Sequence, residues 1–209
     1  MKIVVFGASG PTGLEILKQA LLAGHIVTAF VRSPSKVTVQ HTNLNIIQGD
    51  ATDPAAVQLA IRNQDGVVSA LGPTRPPIPG MLVKTNQNIL DGMQKAGLRR
   101  LVATTGAGVR DPQDHPGLID HIMKGLLSVV AAEVLRDSAA GVAVIRQSEL
   151  DWTIVRFPRL TDGLHTRVYR VGYLGKNSGM QISRADGADF VLKELVAESY
   201  IHQMPVVSY

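Results

Sequence analysis

Residues 5–13 read Val5-Phe6-Gly7-Ala8-Ser9-Gly10-Pro11-Thr12-Gly13, and this stretch decides the fold that the sequence predicts. It joins a short apolar run at 2–6 to a segment at 12–23 in which leucines recur at helical spacing. Glycines in such a strand-to-helix turn let the backbone approach a pyrophosphate, and the unpaired N–H groups at the helix start favour its negative charge. We therefore predict a dinucleotide-binding turn whose members are Gly7, Ala8, Ser9, Gly10, Pro11, Thr12 and Gly13.

Outward from this turn, short runs rich in Val and Ile alternate with longer segments of helical period. This alternation is typical of repeated βαβ units and predicts an α/β fold, a doubly wound and mainly parallel sheet of the Rossmann type. Strands are predicted at 2–6, 26–31, 44–48, 66–70, 100–104 and 152–156. Helices are predicted at 12–23, 54–61, 81–96 and 186–197, with an edge strand at 169–173 and a last strand at 205–209.

The remaining segments are less regular. Residues 116–148 have a mostly helical pattern, but Asp137 and Gly141 interrupt the period, so two helices and one broken helix fit equally well. The proline-rich stretch 72–79 follows the fourth predicted strand and is interpreted as a loop over the site. No internal repeat or low-complexity linker divides the 209 residues. One domain is expected over 1–209, with 157–185 as a small, irregular C-terminal extension on the substrate side.

The composition argues against several kinds of site and partner. The 21 Lys and Arg and the 17 Asp and Glu give a net charge of +4, but the cations form no dense run, so we expect no nucleic-acid partner. The chain contains no cysteine, and no His pair stands at metal-ligand spacing, so we expect no metal site. No apolar stretch approaches the roughly 18 residues that span a bilayer, and the start lacks a signal-peptide pattern. A cytoplasmic chain without a membrane partner is therefore the expectation.

The end of the second predicted strand indicates which coenzyme is bound. An NAD-preferring site commonly carries an acidic residue here, whereas this chain reads Val31-Arg32-Ser33-Pro34-Ser35-Lys36. The guanidinium of Arg32 suits an adenosine 2′-phosphate, with Ser33 adding a hydroxyl and Lys36 a positive charge. We therefore predict NADP(H) as the coenzyme; an ordinary solvated arginine is the alternative for Arg32.

Further site residues follow from the rule that ligands bind beyond the carboxyl ends of parallel strands. Asp50 and Ala51 follow the third predicted strand. The Asp50 carboxylate can accept a hydrogen bond from the adenine amino group, and it can equally well cap the next turn. The fourth strand leads into Ala70, Leu71 and Gly72, which we also expect to line the coenzyme site.

Several longer motifs carry a family resemblance. Beside the glycine turn and residues 31–34, they are Gly49-Asp50-Ala51-Thr52-Asp53, Leu150-Asp151-Trp152-Thr153-Ile154-Val155-Arg156, Pro158-Arg159-Leu160-Thr161-Asp162-Gly163 and Ile182-Ser183-Arg184-Ala185-Asp186. With these motifs the chain resembles, nearly end to end, the atypical short-chain dehydrogenase/reductases that include NmrA-like proteins, NAD(P)H-flavin reductases and biliverdin-IXβ reductase. The resemblance implies that the nicotinamide end is formed by Phe157, Pro158 and Arg159 and by the fifth-strand edge Thr104, Thr105 and Gly106. Thr105 and Arg159 are the candidate catalytic residues.

The expected reaction is inferred from a pair of residues that the sequence lacks. Short-chain dehydrogenases that act on carbonyls use Tyr-x-x-x-Lys to supply a proton, and Tyr169, Tyr173, Tyr200 and Tyr209 all lack a Lys four residues on. A conjugated acceptor can take its proton from water. The chain is therefore expected to be an NADPH-dependent reductase that passes hydride to a flavin, quinone or similar small molecule, with FMN or another flavin as substrate and not as a bound group.

The sequence argues against one acceptor, and it leaves one rival function open. Gly106 stands where the biliverdin-IXβ reductase branch has a serine, which argues against bilin reduction. The rival function is an NADP(H)-binding, redox-sensing regulator of the NmrA-like type without catalysis. A monomer and a homodimer are both compatible with the sequence.

Overall fold

The computed structural model describes residues 1–74, 76–115 and 132–209. The strands in these ranges are β1 (Lys2–Phe6), β2 (Ile26–Val31), β3 (Leu44–Gln48), β4 (Gly66–Ser69), β5 (Arg100–Gly106), β6 (Asp151–Phe157), β7 (Arg159–Thr161), β8 (Arg170–Gly172), β9 (Gln181–Ser183) and β10 (Val206–Ser208). The helices are α1 (Pro11–Leu22), α2 (Pro54–Ile61), α3 (Met81–Ala96), α4 (Ala132–Arg146) and α5 (Arg184–Ala197), with a short 3₁₀ turn at Pro34–Lys36.

Eight of these strands form one sheet in the order β3-β2-β1-β4-β5-β6-β10-β8. All neighbours are parallel except β8, which runs antiparallel to β10 at the edge. The order reverses between β1 and β4, which creates the crevice where doubly wound sheets bind ligands. The predicted Rossmann-type α/β fold is confirmed.

Strand β1 explains why helices cover both faces of the sheet. Ile3 and Val5 point into a core shared with α1 and α5, whereas Val4 and Phe6 point into a second core shared with α2, α3 and α4. All four side chains are fully buried. A strand buried on both faces has a continuous apolar sequence, as residues 3–6 do.

Local signals set the helix ends. The carboxylate of Asp53 accepts hydrogen bonds from the amides of Ala55 and Ala56, at 2.9 and 3.4 Å, and Pro54 opens α2. Gly97 adopts a left-handed conformation at the end of α3. The hydroxyl of Ser183 caps α5 by accepting from the amide of Asp186 at 3.0 Å, so this helix begins two residues before the predicted start at 186.

Helix α4 runs without a break through Asp137 and Gly141. Both residues serve its packing against α3: Asp137 Oδ2 accepts from the Leu82 amide at 3.2 Å, and a Cβ on Gly141 would lie 2.8 Å from Cβ of Leu82. The two residues that interrupt the helical pattern therefore mark a close contact between α3 and α4, and not the end of a helix. The other part of the predicted helical region, 116–131, lies outside the described residues.

The segment 157–185 contains more structure than the irregular extension that was predicted. β7 and β9 pair in parallel as a separate two-stranded sheet, with Arg159 opposite Gln181. β8 is the edge strand that the alternation at 169–173 indicated, and it pairs with β10. The strands β7 and β9 were not predicted because each has only three residues and no alternating apolar pattern. Each pairs with a strand about twenty residues away in the sequence.

Candidate functional site

The glycine turn between β1 and α1 is built so tightly that two of its glycines are required by the chain itself. Gly7 has a φ of +75°, and a Cβ there would lie 2.4 Å from the carbonyl oxygen of Ala70. A Cβ on Gly13 would lie 2.2 Å from the carbonyl oxygen of Gly7. These two positions admit only glycine, because any side chain would push the turn away from β4 or lift α1 off the turn.

Gly10 is different from its two neighbours in the motif. Its φ of −77° and ψ of 161° suit any residue, and the nearest atom to an added Cβ is the Gly7 carbonyl oxygen at 3.3 Å. Gly10 begins α1 with no side-chain cap, and Pro11 has no N–H to offer. The first amides of α1 therefore have no capping side chain to which they could donate, and uncapped amides at a helix start are the arrangement that binds a phosphate.

A first cavity lies beside this turn, at the carboxyl ends of β1, β2 and β3. Seven predicted site residues line it: Gly7, Ser9, Arg32, Asp50, Ala51, Leu71 and Gly72. Thr74 also lines the cavity and comes from the proline-rich stretch 72–79 that was predicted to lie over the site. Sequence reasoning missed other lining residues: Phe30, Val31, Gly49, Met81, Leu82 and Thr85. Met81, Leu82 and Thr85 belong to the first turn of α3, which the loop over the site brings to the cavity.

Arg32 and Asp50 supply the charge of this cavity. Asp50 Oδ1 accepts from the Thr52 amide at 2.8 Å, so the predicted capping role is realised. This hydrogen bond, helped by the charges of Arg32 and Lys84, lowers the pKa of Asp50 despite partial desolvation. The exposed Arg32 side chain lines the cavity with no carboxylate other than Asp50 among the described lining residues.

A second cavity, of about 250 Å³, lies at the ends of β4, β5 and β6. Nine predicted residues line it: Thr12, Ala70, Leu71, Gly72, Thr104, Thr105, Gly106, Phe157 and Pro158. The two cavities share Leu71, Gly72 and Leu82. They therefore form one cleft that runs from the second strand, past the glycine turn, to the fifth and sixth strands.

The second cavity also has a wall that the sequence did not reveal. Helices α3 and α4 contribute Asn86, Ser138, Val142 and Ile145 to this wall. Leu160 of β7 also lines the cavity, and it belongs to the segment 158–163 that was predicted to form part of the cleft. The amide of the Asn86 side chain donates to the carbonyl oxygen of Gly141 at 3.0 Å and so fixes the two helices together. The available sequence signal was the polar pair Thr85 and Asn86, which lies between the apolar residues 82 and 89 of the predicted helix.

Several predicted residues lie near the cleft without being among its described lining residues. They are Ala8, Gly10, Pro11, Gly13, Ser33, Lys36 and Arg159. Ala8 is buried in the core, and Ser33 and Lys36 are exposed around the 3₁₀ turn. Arg159 is exposed in β7, where its amide donates to the carbonyl oxygen of Met180. The catalytic role of Arg159 stays a prediction, as does that of Thr105.

A buried ion pair connects β6 to the loop that follows β5. The guanidinium of Arg156, fully buried in β6, donates to both carboxylate oxygens of Asp114 at 2.8 Å and to the carbonyl oxygen of Met204 at 2.7 Å. Asp114 also accepts from the amides of Asp111 and Leu174. Burial opposes ionisation of Asp114, but these hydrogen bonds and the Arg156 charge outweigh it and lower its pKa.

A tyrosine and a lysine do meet in space, but outside this cleft. Lys193 Nζ lies 3.4 Å from the hydroxyl of Tyr169, which donates to Asp189 at 2.6 Å. Burial and the Asp189 carboxylate raise the pKa of Tyr169. Neither residue is among the described lining residues of the cleft, so the pair offers no proton to an acceptor there.

Among residues 1–74, 76–115 and 132–209, no helix has the length and apolar character needed to cross a bilayer.

Comparison with known proteins places this geometry in a family. Over 108 residues the chain is 38% identical to the protein YwnB of Bacillus subtilis, a match that covers 52% of this chain and 48% of YwnB. The chain spans about half the length or less of several curated relatives that it matches, YwnB among them.

Solved structures share the whole fold. The anaerobilin reductase ChuY from Escherichia coli O157:H7 superimposes with a TM-score of 0.81 at 22% identity, covering 100% of this chain and 97% of ChuY. A short-chain dehydrogenase/reductase from Veillonella parvula in complex with NADP gives 0.80 at 18% identity, covering 100% and 94%. At these identities the likeness shows the fold.

The family model described as NAD(P)H-binding matches residues 7–198, nearly the whole chain. These solved structures share the Rossmann-type fold that the sequence motifs indicated. The chain belongs to the NAD(P)H-binding family.

Proposed function

We propose that the protein is an NADPH-dependent reductase that delivers hydride to an uncharged, conjugated acceptor, such as a quinone or the ring system of a flavin. The observation that carries the proposal is the single cleft in which a phosphate-binding turn and a cationic strand end lead into a largely apolar cavity. NADP bound by the Veillonella protein and the reductase activity named for ChuY support the same reading.

The residues at the first cavity fit the coenzyme. The uncapped start of α1 would hold the pyrophosphate, and the lack of a side chain at Gly10 would let it approach the backbone. Arg32 would bind the 2′-phosphate of the adenosine through the N–H donors of its planar guanidinium. When bound, NADPH supplies a hydride at its nicotinamide ring, and residues 104–106 and 157–158 would orient that end.

The lining of the second cavity supports an uncharged acceptor. Leu71, Val142, Ile145, Phe157 and Leu160 make its walls apolar. Four side chains offer neutral hydrogen-bonding groups around it: Asn86, Thr104, Thr105 and Ser138. Such walls exclude water and position a planar ring against the nicotinamide, and orientation of this kind accelerates hydride transfer without a dedicated acid.

Replacing Arg32 by alanine is expected to weaken NADPH binding by about tenfold or more, which corresponds to a loss of about 1.4 kcal/mol of binding free energy. The affinity for NADH should stay within about twofold of that of the unmodified protein. The reason is that only NADPH carries the phosphate that the guanidinium would meet. Titration calorimetry with both coenzymes measures the effect, and Arg62→Ala, at the exposed end of α2, is the control. Equal weakening of both coenzymes would show that Arg32 has no part in the choice.

Oxidation of NADPH in the presence of menadione, riboflavin or FMN tests the proposed reaction. We expect turnover with menadione and riboflavin, and a kcat/KM for riboflavin at least equal to that for FMN, because the phosphate of FMN gains no partner in an uncharged cavity. Ser138→Phe, which adds a phenyl ring at the α4 wall of the cavity, should abolish turnover, while the adenosine and pyrophosphate contacts at the first cavity should still hold NADPH. Ala139→Phe, on the exposed face of the same helix, should behave like the unmodified protein.

Two results would contradict the proposal. NADPH binding without turnover of any acceptor would favour the redox-sensing regulator instead. Equal activity of the Ser138→Phe and Ala139→Phe proteins would place the reaction elsewhere. Thermal unfolding of both variants shows whether the phenylalanine has disturbed the fold.

A further inference from the structure

A large open groove lies on the helical face formed by α1 and α5, away from the coenzyme cleft. Its volume is about 690 Å³, within the range of small-molecule sites. It is lined by Gln19, Leu22, Ala23, His25, His165, Arg167, Asp189, Leu192, Lys193, Val196 and Ala197. Within the described chain, none of these residues lines the coenzyme cleft, so the groove is a separate feature.

The walls of the groove are apolar and exposed. Leu22, at the end of α1, is 85% exposed, and Val196, in the last turn of α5, is 60% exposed. Leu164 and Val168 flank the loop that carries His165 and Arg167, and they too are largely exposed. Exposed apolar side chains that cluster around a concavity mark a binding surface more often than a random stretch of surface does.

The charges in the groove do not cancel. The carboxylate of Asp189 is already occupied by three donors, since it contacts the Tyr169 hydroxyl at 2.6 Å, Lys193 Nζ at 2.7 Å and His165 Nε2 at 3.1 Å. These contacts outweigh burial and lower the pKa of Asp189. The exposed guanidinium of Arg167 has no carboxylate partner among the ion pairs of the described residues. The groove therefore offers one uncompensated positive charge.

The backbone at Arg167 is held in an unusual conformation. Its φ is +60°, which costs a non-glycine residue free energy. The fully buried carboxylate of Asp186 maintains it by accepting from the amide of Arg167 at 2.7 Å, from the amide of Thr166 at 2.8 Å and from the Thr166 hydroxyl at 2.7 Å. The buried anion therefore fixes the backbone from which the Arg167 side chain starts, and that side chain lines the groove.

We propose that this groove is a second ligand site, which binds a small amphipathic carboxylate. The apolar body of the ligand would lie along Leu22, Leu192 and Val196, and its carboxylate would pair with Arg167. Charge complementarity selects the occupant, because an apolar trough with one free guanidinium matches a molecule that has an apolar chain and a single anionic end.

Octanoate is a suitable probe, with octanol and octylamine as chains of the same length and different charge. Chemical shifts of the ¹⁵N-labelled full chain are recorded during each titration, with NADPH in excess. We expect octanoate to shift amides at 19–25, 165–168 and 192–197, and octanol and octylamine to bind at least about tenfold more weakly. Arg167→Ala should reduce the affinity for octanoate by about tenfold. Arg170→Ala, an exposed arginine of β8 that does not line the groove, should leave it unchanged.

Three results would overturn the proposal: no saturable shift with octanoate, shifts confined to the coenzyme cleft, or equal affinity for octanoate and octanol. The readout maps the bound position residue by residue, so it is independent of whether the chain binds NADPH or reduces any acceptor.

Discussion

Replacement of Arg156 by methionine is expected to lower the free energy of unfolding by about 3–5 kcal/mol at pH 7. The change leaves the Asp114 carboxylate buried without its guanidinium partner and removes the hydrogen bonds to the carbonyl oxygens of Val109 and Met204. Urea unfolding followed by circular dichroism measures the loss. The matched control is Arg99→Met, because Arg99 pairs with Asp151 at a similar distance but is 61% exposed, so its loss should cost at most about 1 kcal/mol.

The ion pair between Arg156 and Asp114 also makes the free energy of unfolding depend on pH. The folded pKa of Asp114 lies below its ordinary value of 3.8, so its contribution to stability is fully present above that value and is lost as the pH falls through the folded pKa. The difference between the unmodified protein and Arg156→Met should therefore shrink as the pH falls below the ordinary value of 3.8. A cost for Arg156→Met no larger than that for Arg99→Met, or one that does not change in acid, would contradict the assigned role.

Replacement of Gly13 by alanine is expected to destabilise the protein by about 3 kcal/mol or more, because its Cβ would overlap the Gly7 carbonyl oxygen and both groups are backbone-bound. Gly10→Ala should stay within about 1 kcal/mol of the unmodified protein, since the φ and ψ of Gly10 suit any residue and the added Cβ meets only the Gly7 carbonyl oxygen, at 3.3 Å. Gly10→Ala should nevertheless weaken NADPH binding by about tenfold or more, because its methyl group occupies the space through which a phosphate reaches the helix start.

Unfolding and coenzyme titration of the two variants separate folding from binding. A Gly10→Ala protein with unchanged NADPH affinity would mean that the pyrophosphate does not approach this residue. A Gly13→Ala protein of ordinary stability would mean that α1 moves away from the turn at little cost, contrary to the packing described here.

Much of the sheet could be predicted because its strands are marked by continuous apolar runs. The ranges 2–6, 26–31 and 44–48 agree with β1, β2 and β3, and β4 ends one residue earlier than predicted. β5 and β6 are longer than predicted, because their mutual pairing extends through polar residues, with Thr105 opposite Arg156. Pairing between distant segments is invisible to local pattern, and for that reason β7 and β9 were missed.

The candidate site also contains residues that the sequence predicts and residues that it does not. The turn and the strand ends could be predicted, because the topology of a doubly wound sheet brings its carboxyl ends to one crevice. Ser138, Val142 and Ile145 could not, since their place depends on how closely Gly141 lets α4 approach α3. The pairing of Arg156 with Asp114 joins residues 42 positions apart, and an arginine inside an apolar strand gives no local indication of its partner.

A crystal structure of the full chain with NADPH would show whether the cleft binds the coenzyme. We expect the pyrophosphate against the first amides of α1 beside Gly10, the 2′-phosphate at Arg32, and the nicotinamide between Thr104 and Phe157. A nucleotide bound outside this cleft, or one with its nicotinamide at Arg32, would contradict this expectation.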